Sequence, residues 1–237
     1  SNNYNINTKK PSFTNVSKQK GNKENIKKAA KLIGSSKCSV IIVGAGIKYN
    51  SKYKEVIKLA ELCNLPIVTA AGHGDAIPFG HKLNAGQMGP RGNPVASRLV
   101  KNADVILAIG TRLGFNSTFY SYENINKEAK IIQIELEKTM LGKYFPVKVK
   151  IHADAATATK QLYEEIKKEK IKLNIKDWTN SYLKERKEYL INRNKENLGS
   201  NFPIKVKIHA DAATATKQLY DEIKKEKIKL NIKDWTN

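Results

Sequence analysis

Apolar positions between residues 23 and 168 recur in two alternating rhythms, one of helices and one of strands. "ENIKKAAKLI" sets Ile26, Ala29, Ala30 and Ile33 on one helical face, and Gly34 ends that helix. "SVIIVGAG" then runs apolar without alternation, the pattern of a strand covered on both faces. Val56, Leu59, Ala60 and Cys63 return at spacings of three and four, and the short strand "PIVTA" follows. "NPVASRLVKNA" predicts a helix with Pro94 in its first turn. "DVILAIG" and "KIIQIEL" predict two further buried strands, and "VKVKIH" a fifth strand at an edge. A last helix, from about Asp154 to Lys168, turns Ala155, Ala158, Leu162 and Ile166 inward. This alternation predicts an α/β fold with a parallel sheet between helices, and right-handed crossovers make it a Rossmann-like three-layer domain over residues 23–170.

The flanks read differently. Residues 1–22 are polar, Asn-rich and without periodicity, as in a linker or tail. Residues 72–92, "GHGDAIPFGHKLNAGQMGPRG", form a Gly- and Pro-rich loop of unusual length between two well-patterned units. Residues 171–201 read as a helical linker. Residues 202–237 repeat residues 145–180 with an offset of 57 and only two differences, Ile204 for Val147 and Asp221 for Glu164. Near-identity of this kind leaves two origins, a very recent duplication or a misjoined reading frame. Either way the chain has a helical C-terminal extension containing a duplicated strand-helix segment. One domain has one place for that segment, so the two copies compete for it. The expectation is a second copy that is loosely held or swapped between chains.

Composition sharpens the picture only in part. The net charge of +21, from 43 Lys and Arg against 22 Asp and Glu, first suggests nucleic acid. Its distribution argues otherwise, because residues 1–36, 37–145 and 146–237 carry about +7, +6 and +8, with no single basic stripe. Solvated surface is the preferred reading, and a nucleic-acid-binding protein ranks third among the functions weighed. Cys38 and Cys63 fall on apolar patterns and read as buried reduced thiols of a cytoplasmic protein. No apolar run reaches the length of a membrane span.

Parallel α/β sheets bind ligands beyond the carboxyl ends of their strands, near the point where strand order reverses. Three Gly-bearing loops follow strands here: "GAGIKYN", the long loop and "GTRLGFNSTFY". Gly44 and Gly46 fit either close backbone approach to a phosphate or simply a tight strand-to-helix turn, and Tyr49 stands where GxGxxG requires its third Gly. Arg112, two positions past a buried strand, suits a diphosphate or carboxylate. Glu135 and Glu137 suit ribose hydroxyls. Asp154 fits a helix N-cap at least as well as a ligand. His73 and His81 lack a companion at metal-ligand spacing and read as loop hydrogen-bonders. No nucleophile and base pair is apparent.

On these same residues, "LPIVTAAGHGDAIPFGHKLNAGQMGPRGNPVASRLVKNADVILAIGTRLGFNST", "AKIIQIELEKTMLGK" and "IHADAATATKQL", the chain resembles the central domain of thiamine diphosphate-dependent enzymes. Acetolactate synthases, oxalyl-CoA decarboxylases and sulfoacetaldehyde acetyltransferases belong to that group. "GTRLGFNST" is most similar to the sulfoacetaldehyde acetyltransferase pattern, and the resemblance covers roughly residues 24–170. It implies that the Gly-rich loop and the "GTRL" turn line a crevice where FAD, ADP or a CoA nucleotide lies in some members. By position, Gly89 and Arg91 of "GPRG", Arg112, Glu135 and Asp154 match its nucleotide side. The family's usual "IDIDP" is "IELEK" here; the longer carboxylates and the missing Pro count against tight binding.

The resemblance also implies what catalysis would require. In the family a glutamate from an N-terminal domain activates thiamine diphosphate, and a GDG followed by Asn-Asn in a C-terminal domain holds Mg2+ and the diphosphate. "GHGDA" differs, with Ala76 in place of the last Gly and no Asn pair after it. The expectation is a central domain that is not catalytic alone, whose partners are the N- and C-terminal domains of the parent enzyme in a homo-oligomer. A stand-alone FAD- or ADP-binding module ranks second.

Overall fold

The computed structural model describes residues 18–48, 52–197 and 211–225. The chain divides into two compact units, Ser1–Arg186 and Lys187–Asn237.

In the first unit the apolar runs become six strands: β1 (Ser39–Val43), β2 (Ile67–Thr69), β3 (Asn84–Gln87), β4 (Val105–Ile109), β5 (Lys130–Glu135) and β6 (Val149–His152). They form one parallel sheet in the order β3-β2-β1-β4-β5-β6. The Rossmann-like reading therefore holds, with "VKIH" at one edge as expected. Five strands were expected, however, and the other edge is a sixth, β3, inside the long Gly-rich loop. Its sequence "NAGQ" has no β-branched or aromatic residue, so propensity gave no signal. Backbone hydrogen bonds hold it, Ile67 N–H to the Leu83 carbonyl at 2.8 Å and Met88 N–H to that of Thr69 at 3.0 Å.

Helices cover both faces. On one lie α1 (Lys23–Gly34), α2 (Tyr53–Cys63) and α5 (Ala155–Lys168), whose apolar stripes pack on Ile41, Val43, Leu107, Ile132 and Ile151. On the other, α3 (Pro94–Asn102) packs Ala96, Leu99 and Val100 against Val40, Ile42, Ile106 and Ala108. Alternate residues of β1 thus face opposite layers, which explains its lack of polar positions. The short α4 (Phe115–Thr118) follows β4, and α6 spans Lys176–Asn197. At the start of α6, Trp178 donates its indole N–H to the Ser39 carbonyl at 3.1 Å, and the Thr179 hydroxyl donates to that of Asn64 at 2.7 Å.

Local chemistry sets the boundaries. Asn22 caps α1 by accepting from Glu24 and Asn25 N–H, and Asn93 caps α3 ahead of Pro94. Gly34 does close α1, although not through a left-handed turn: it is the last helical residue, Ser35 is the C-cap, and a Cβ on Gly34 would lie 2.5 Å from Ile171 Cγ2. Within the segment read as a polar tail, residues 19–22 lie against the domain. The Asp154 N–H donates to the Gln19 carbonyl at 2.9 Å, and the Gly21 N–H donates to Gln161 Oε1 at 2.8 Å. Residues 1–17 and the second copy of the edge strand lie outside the described residues.

In the second unit, α7 (Ala212–Lys225) repeats the sequence of α5 with Asp221 for Glu164. Its Leu219 is 53% exposed, whereas the equivalent Leu162 of α5 is fully buried.

Candidate functional site

The strand order reverses between β1 and β4, so the crevice of an open α/β sheet opens above their carboxyl ends. Two loops meet there at backbone distance. The Gly44 N–H donates to the Ile109 carbonyl at 3.1 Å, and the Gly46 N–H donates to that of Gly110 at 3.0 Å. A Cβ on Gly44 would lie 2.6 Å from the Gly110 oxygen, and one on Gly46 would lie 2.7 Å from the Gly110 Cα. Packing against Gly110 accounts for a glycine at each position, and both amides are engaged in backbone hydrogen bonds.

The Gly-rich loop closes the crevice from the β2 side. Gly89 sits at φ +95°, and a Cβ there would lie 2.6 Å from the Asn116 carbonyl oxygen of α4. Ser117 of α4 accepts the Ala71 N–H at 2.9 Å, so β2, the Gly-rich loop and α4 are tied together. At the mouth, Lys48 pairs with Asp75 at 2.9 Å and stands near His73. Burial first, then the Lys48 ammonium, push the His73 imidazole below its ordinary value, against the opposing pull of Asp75. His73 Nδ1 and the Thr69 hydroxyl are buried without a hydrogen-bond partner among the described residues. His81 behaves as read, accepting the Leu83 N–H on Nδ1 at 3.3 Å.

Arg91 and Arg112 are both exposed, and neither makes a hydrogen bond or ion pair to another described residue. Arg112 does act on Glu137: the hydrogen bonds from Thr139 come first, and Arg112 and His152 add to them, holding that carboxyl below its usual range. Glu135, at the end of β5, turns one oxygen onto the N–H groups of Leu136 and Glu137 at 3.0 and 3.2 Å. Its other oxygen makes no hydrogen bond to a described residue.

Asp154 is engaged on both oxygens. One caps α5 through the Thr157 N–H at 3.0 Å and its hydroxyl at 2.9 Å; the other pairs with Lys52 Nζ at 2.6 Å. Burial by itself would raise this carboxyl, but the Lys52 and Thr157 hydrogen bonds outweigh it and hold it low. The N-cap reading thus accounts for Asp154. Lys52 went unnoticed in the sequence because 102 residues separate it from its partner.

The structure therefore brings Gly44 and Gly46 against Gly110 and packs Gly89 on α4, with Arg112 just past the end of β4. Among the described residues no group of three His, Cys, Asp or Glu side chains is placed to hold a metal ion. No described helix is long and apolar enough to cross a membrane.

Comparison with known proteins bears on this geometry. Residues 26–162 match the family model of the thiamine pyrophosphate enzyme central domain. The sulfoacetaldehyde acetyltransferase of Roseovarius nubinhibens is 35% identical over 154 residues, which cover 64% of this chain and 26% of that protein. That of Rhodobacter capsulatus is 36% identical over 135 residues, covering 56% and 23%. A probable acetolactate synthase large subunit of Methanococcus aeolicus is 31% identical over 166 residues, covering 67% and 28%. The chain spans about a quarter of the length of these curated relatives. The six-stranded sheet, its switch-point crevice and the family match agree, and this chain belongs to the thiamine pyrophosphate enzyme central-domain family.

Proposed function

We propose that this chain serves as the central domain of an enzyme acting in the manner of the sulfoacetaldehyde acetyltransferases, and that it is not catalytic alone. The observation that carries this reading is the match over residues 26–162 together with several relatives of that name. The residues of this chain do not fit thiamine diphosphate or its Mg2+: the described part offers no metal-ligand cluster, and "GHGDA" lacks the Gly and the Asn pair that the family uses. No chemical step is therefore assigned to residues of this domain. Its part is to hold the flanking N- and C-terminal domains in register within an oligomer.

The same reading extends to a nucleotide. FAD, ADP or CoA would lie above the carboxyl ends of β1 and β4. The free guanidinium groups of Arg91 and Arg112 would take its anionic part, and the unused oxygen of Glu135 a ribose hydroxyl. Gly44, Gly46 and Gly89 shape that crevice by allowing close backbone contact, and Asp154 supports it only through the start of α5.

A chimera tests the first part. Residues 26–162 of this chain are placed in the Roseovarius enzyme in exchange for its matching segment, and acetyl transfer to or from sulfoacetaldehyde is assayed. Retained activity is expected; a folded, cofactor-loaded chimera without activity overturns the reading.

A further inference from the structure

Along α6, Trp178, Thr179, Tyr182, Leu183 and Arg186 recur at the spacing of one helical face. The first four are anchored inward. Trp178 and Thr179 donate to the Ser39 and Asn64 carbonyls, the Tyr182 hydroxyl accepts from Asn102 Nδ2 at 2.8 Å, and Leu183 packs on both apolar layers. Arg186, the last residue of the first unit, thus carries a charge on a face that is otherwise packed. Its Nε and Nη2 are buried, and neither has a hydrogen-bond partner among the described residues. The adjacent carboxylate, Glu185, is taken by Arg98. Burial holds the Arg186 guanidinium below its ordinary value.

The surroundings of this guanidinium offer donors. Arg186 Nε lies 3.5 Å from the point where a Cβ of Gly86 would stand, and Asn93 Nδ2 lies 3.1 Å from the same point. Asn93 is buried, and its Oδ1 accepts the Val95 N–H, which fixes Nδ2 as the atom turned toward Gly86. That Nδ2 makes only a long hydrogen bond, 3.5 Å, to the Ala85 carbonyl. Asn84 Oδ1, the neighbouring side-chain acceptor on β3, already accepts the Gly86 N–H at 2.8 Å. Phe79 is 68% exposed, and its ring centroid stands 4.9 Å from Arg186 Cζ, over the guanidinium face.

We propose that Arg186, Asn93 and Gly86 form a binding site for a carboxylate, with Phe79 as its cover. Nε and Nη2 lie along one edge of the planar guanidinium and present two parallel N–H groups, the fork that a carboxylate takes side-on. Asn93 Nδ2 adds a further donor. Gly86 keeps open the point between the donors, which any side chain would fill. Buried donors without an acceptor, one of them charged, select an anion over a neutral or cationic ligand. A carboxylate is flat like the fork, whereas phosphate is tetrahedral and needs a deeper space. Phe79 swings aside for entry; a Cβ at the adjoining Gly80 would meet nothing within 4 Å. The site lies on β3 and α6, with β2 between it and β1, and does not depend on the function proposed above.

Nuclear magnetic resonance of the full, nitrogen-15-labelled chain tests this. Sodium acetate is titrated against sodium chloride at constant ionic strength, and the Arg186 Nε–H resonance, assigned by its loss in Arg186→Lys, is followed. Acetate is expected to move that resonance and the Gly86 amide downfield and saturably, and chloride to leave both in place. Phosphate should need a higher concentration than acetate. In Arg186→Lys the half-saturating acetate concentration, read at the Gly86 amide, should rise about tenfold or more through loss of a charged hydrogen bond. Phe79→Ala should speed exchange of the Nε proton with water. N-acetylglutamyl amide, which carries the carboxylate on a peptide, separates two sources: tighter binding than acetate makes the occupant a protein side chain, and weaker binding a free acid. An Arg186 resonance that acetate leaves in place, in a chain whose spectrum shows it folded, overturns the proposal. So does an equal response to chloride, or a tighter response to phosphate.

Discussion

At the scale of single residues, the crevice rests on contacts that leave no room for a methyl group. Gly44→Ala would press a Cβ to 2.6 Å from the Gly110 oxygen and 2.7 Å from Thr111 Cβ, both fixed by β4. A loss of about 1–3 kcal/mol is expected in urea denaturation. Gly114→Ala is the control, since nothing lies within 4 Å of its Cβ and its φ is −73°; its midpoint should stay or rise slightly. Asp154 gives a pH signature. Its carboxyl titrates below 3.8 in the folded chain, so the unfolded chain takes up the proton first as pH falls. Stability from this group is complete above 3.8 and disappears as pH falls through the lower folded value. Asp154→Asn should therefore be less stable than the parent at neutral pH, and the gap should narrow on acidification to about pH 3. Equilibrium unfolding at the two pH values checks this. Cys63 supplies a third test. Burial pushes its thiol up to about 12, so a thiol reagent at mildly alkaline pH should label it only after denaturation.

At the scale of elements, one cap was legible and one strand was not. Pro94 in the first turn of α3 and the Asp154 cap of α5 follow from residue chemistry within three positions, and the structure adds Asn93 as the cap of α3. Asn93→Ala removes the acceptor for the Val95 N–H and should cost about 1–2 kcal/mol, read from the denaturation midpoint. β3 could not be read, because "NAGQ" is a strand only through its ladder to β2. An edge strand of small and polar residues leaves no hydrophobic period to detect. The long loop of residues 72–92 is thus a connection that carries a sheet edge in its middle.

At the scale of the whole molecule, a bound nucleotide would stabilise the folded chain by mass action. At a ligand concentration about 100 times Kd the gain is about 2.7 kcal/mol. ADP, FAD and CoA should each be tested by thermal denaturation of this chain beside Arg112→Ala. A shift present in the parent and absent in the variant supports the crevice site. Equal shifts in both would move binding away from Arg112. The broad spread of positive charge belongs to this scale as well. Lysines are distributed over the whole chain rather than gathered in one segment.

The sequence by itself determined the alternation of strands and helices, the burial of both sheet faces, the Asp154 cap and the family. Each is written in local periodicity, in cap chemistry or in contiguous motifs. Tertiary structure alone decided the rest. It placed Gly44 and Gly46 against Gly110, joined Lys52 to Asp154 and made "NAGQ" an edge strand. It also put the first copy of the duplicated segment in the core, where its Leu162 is buried. These outcomes depend on residues distant in sequence but adjacent in space. No local pattern separates two nearly identical segments.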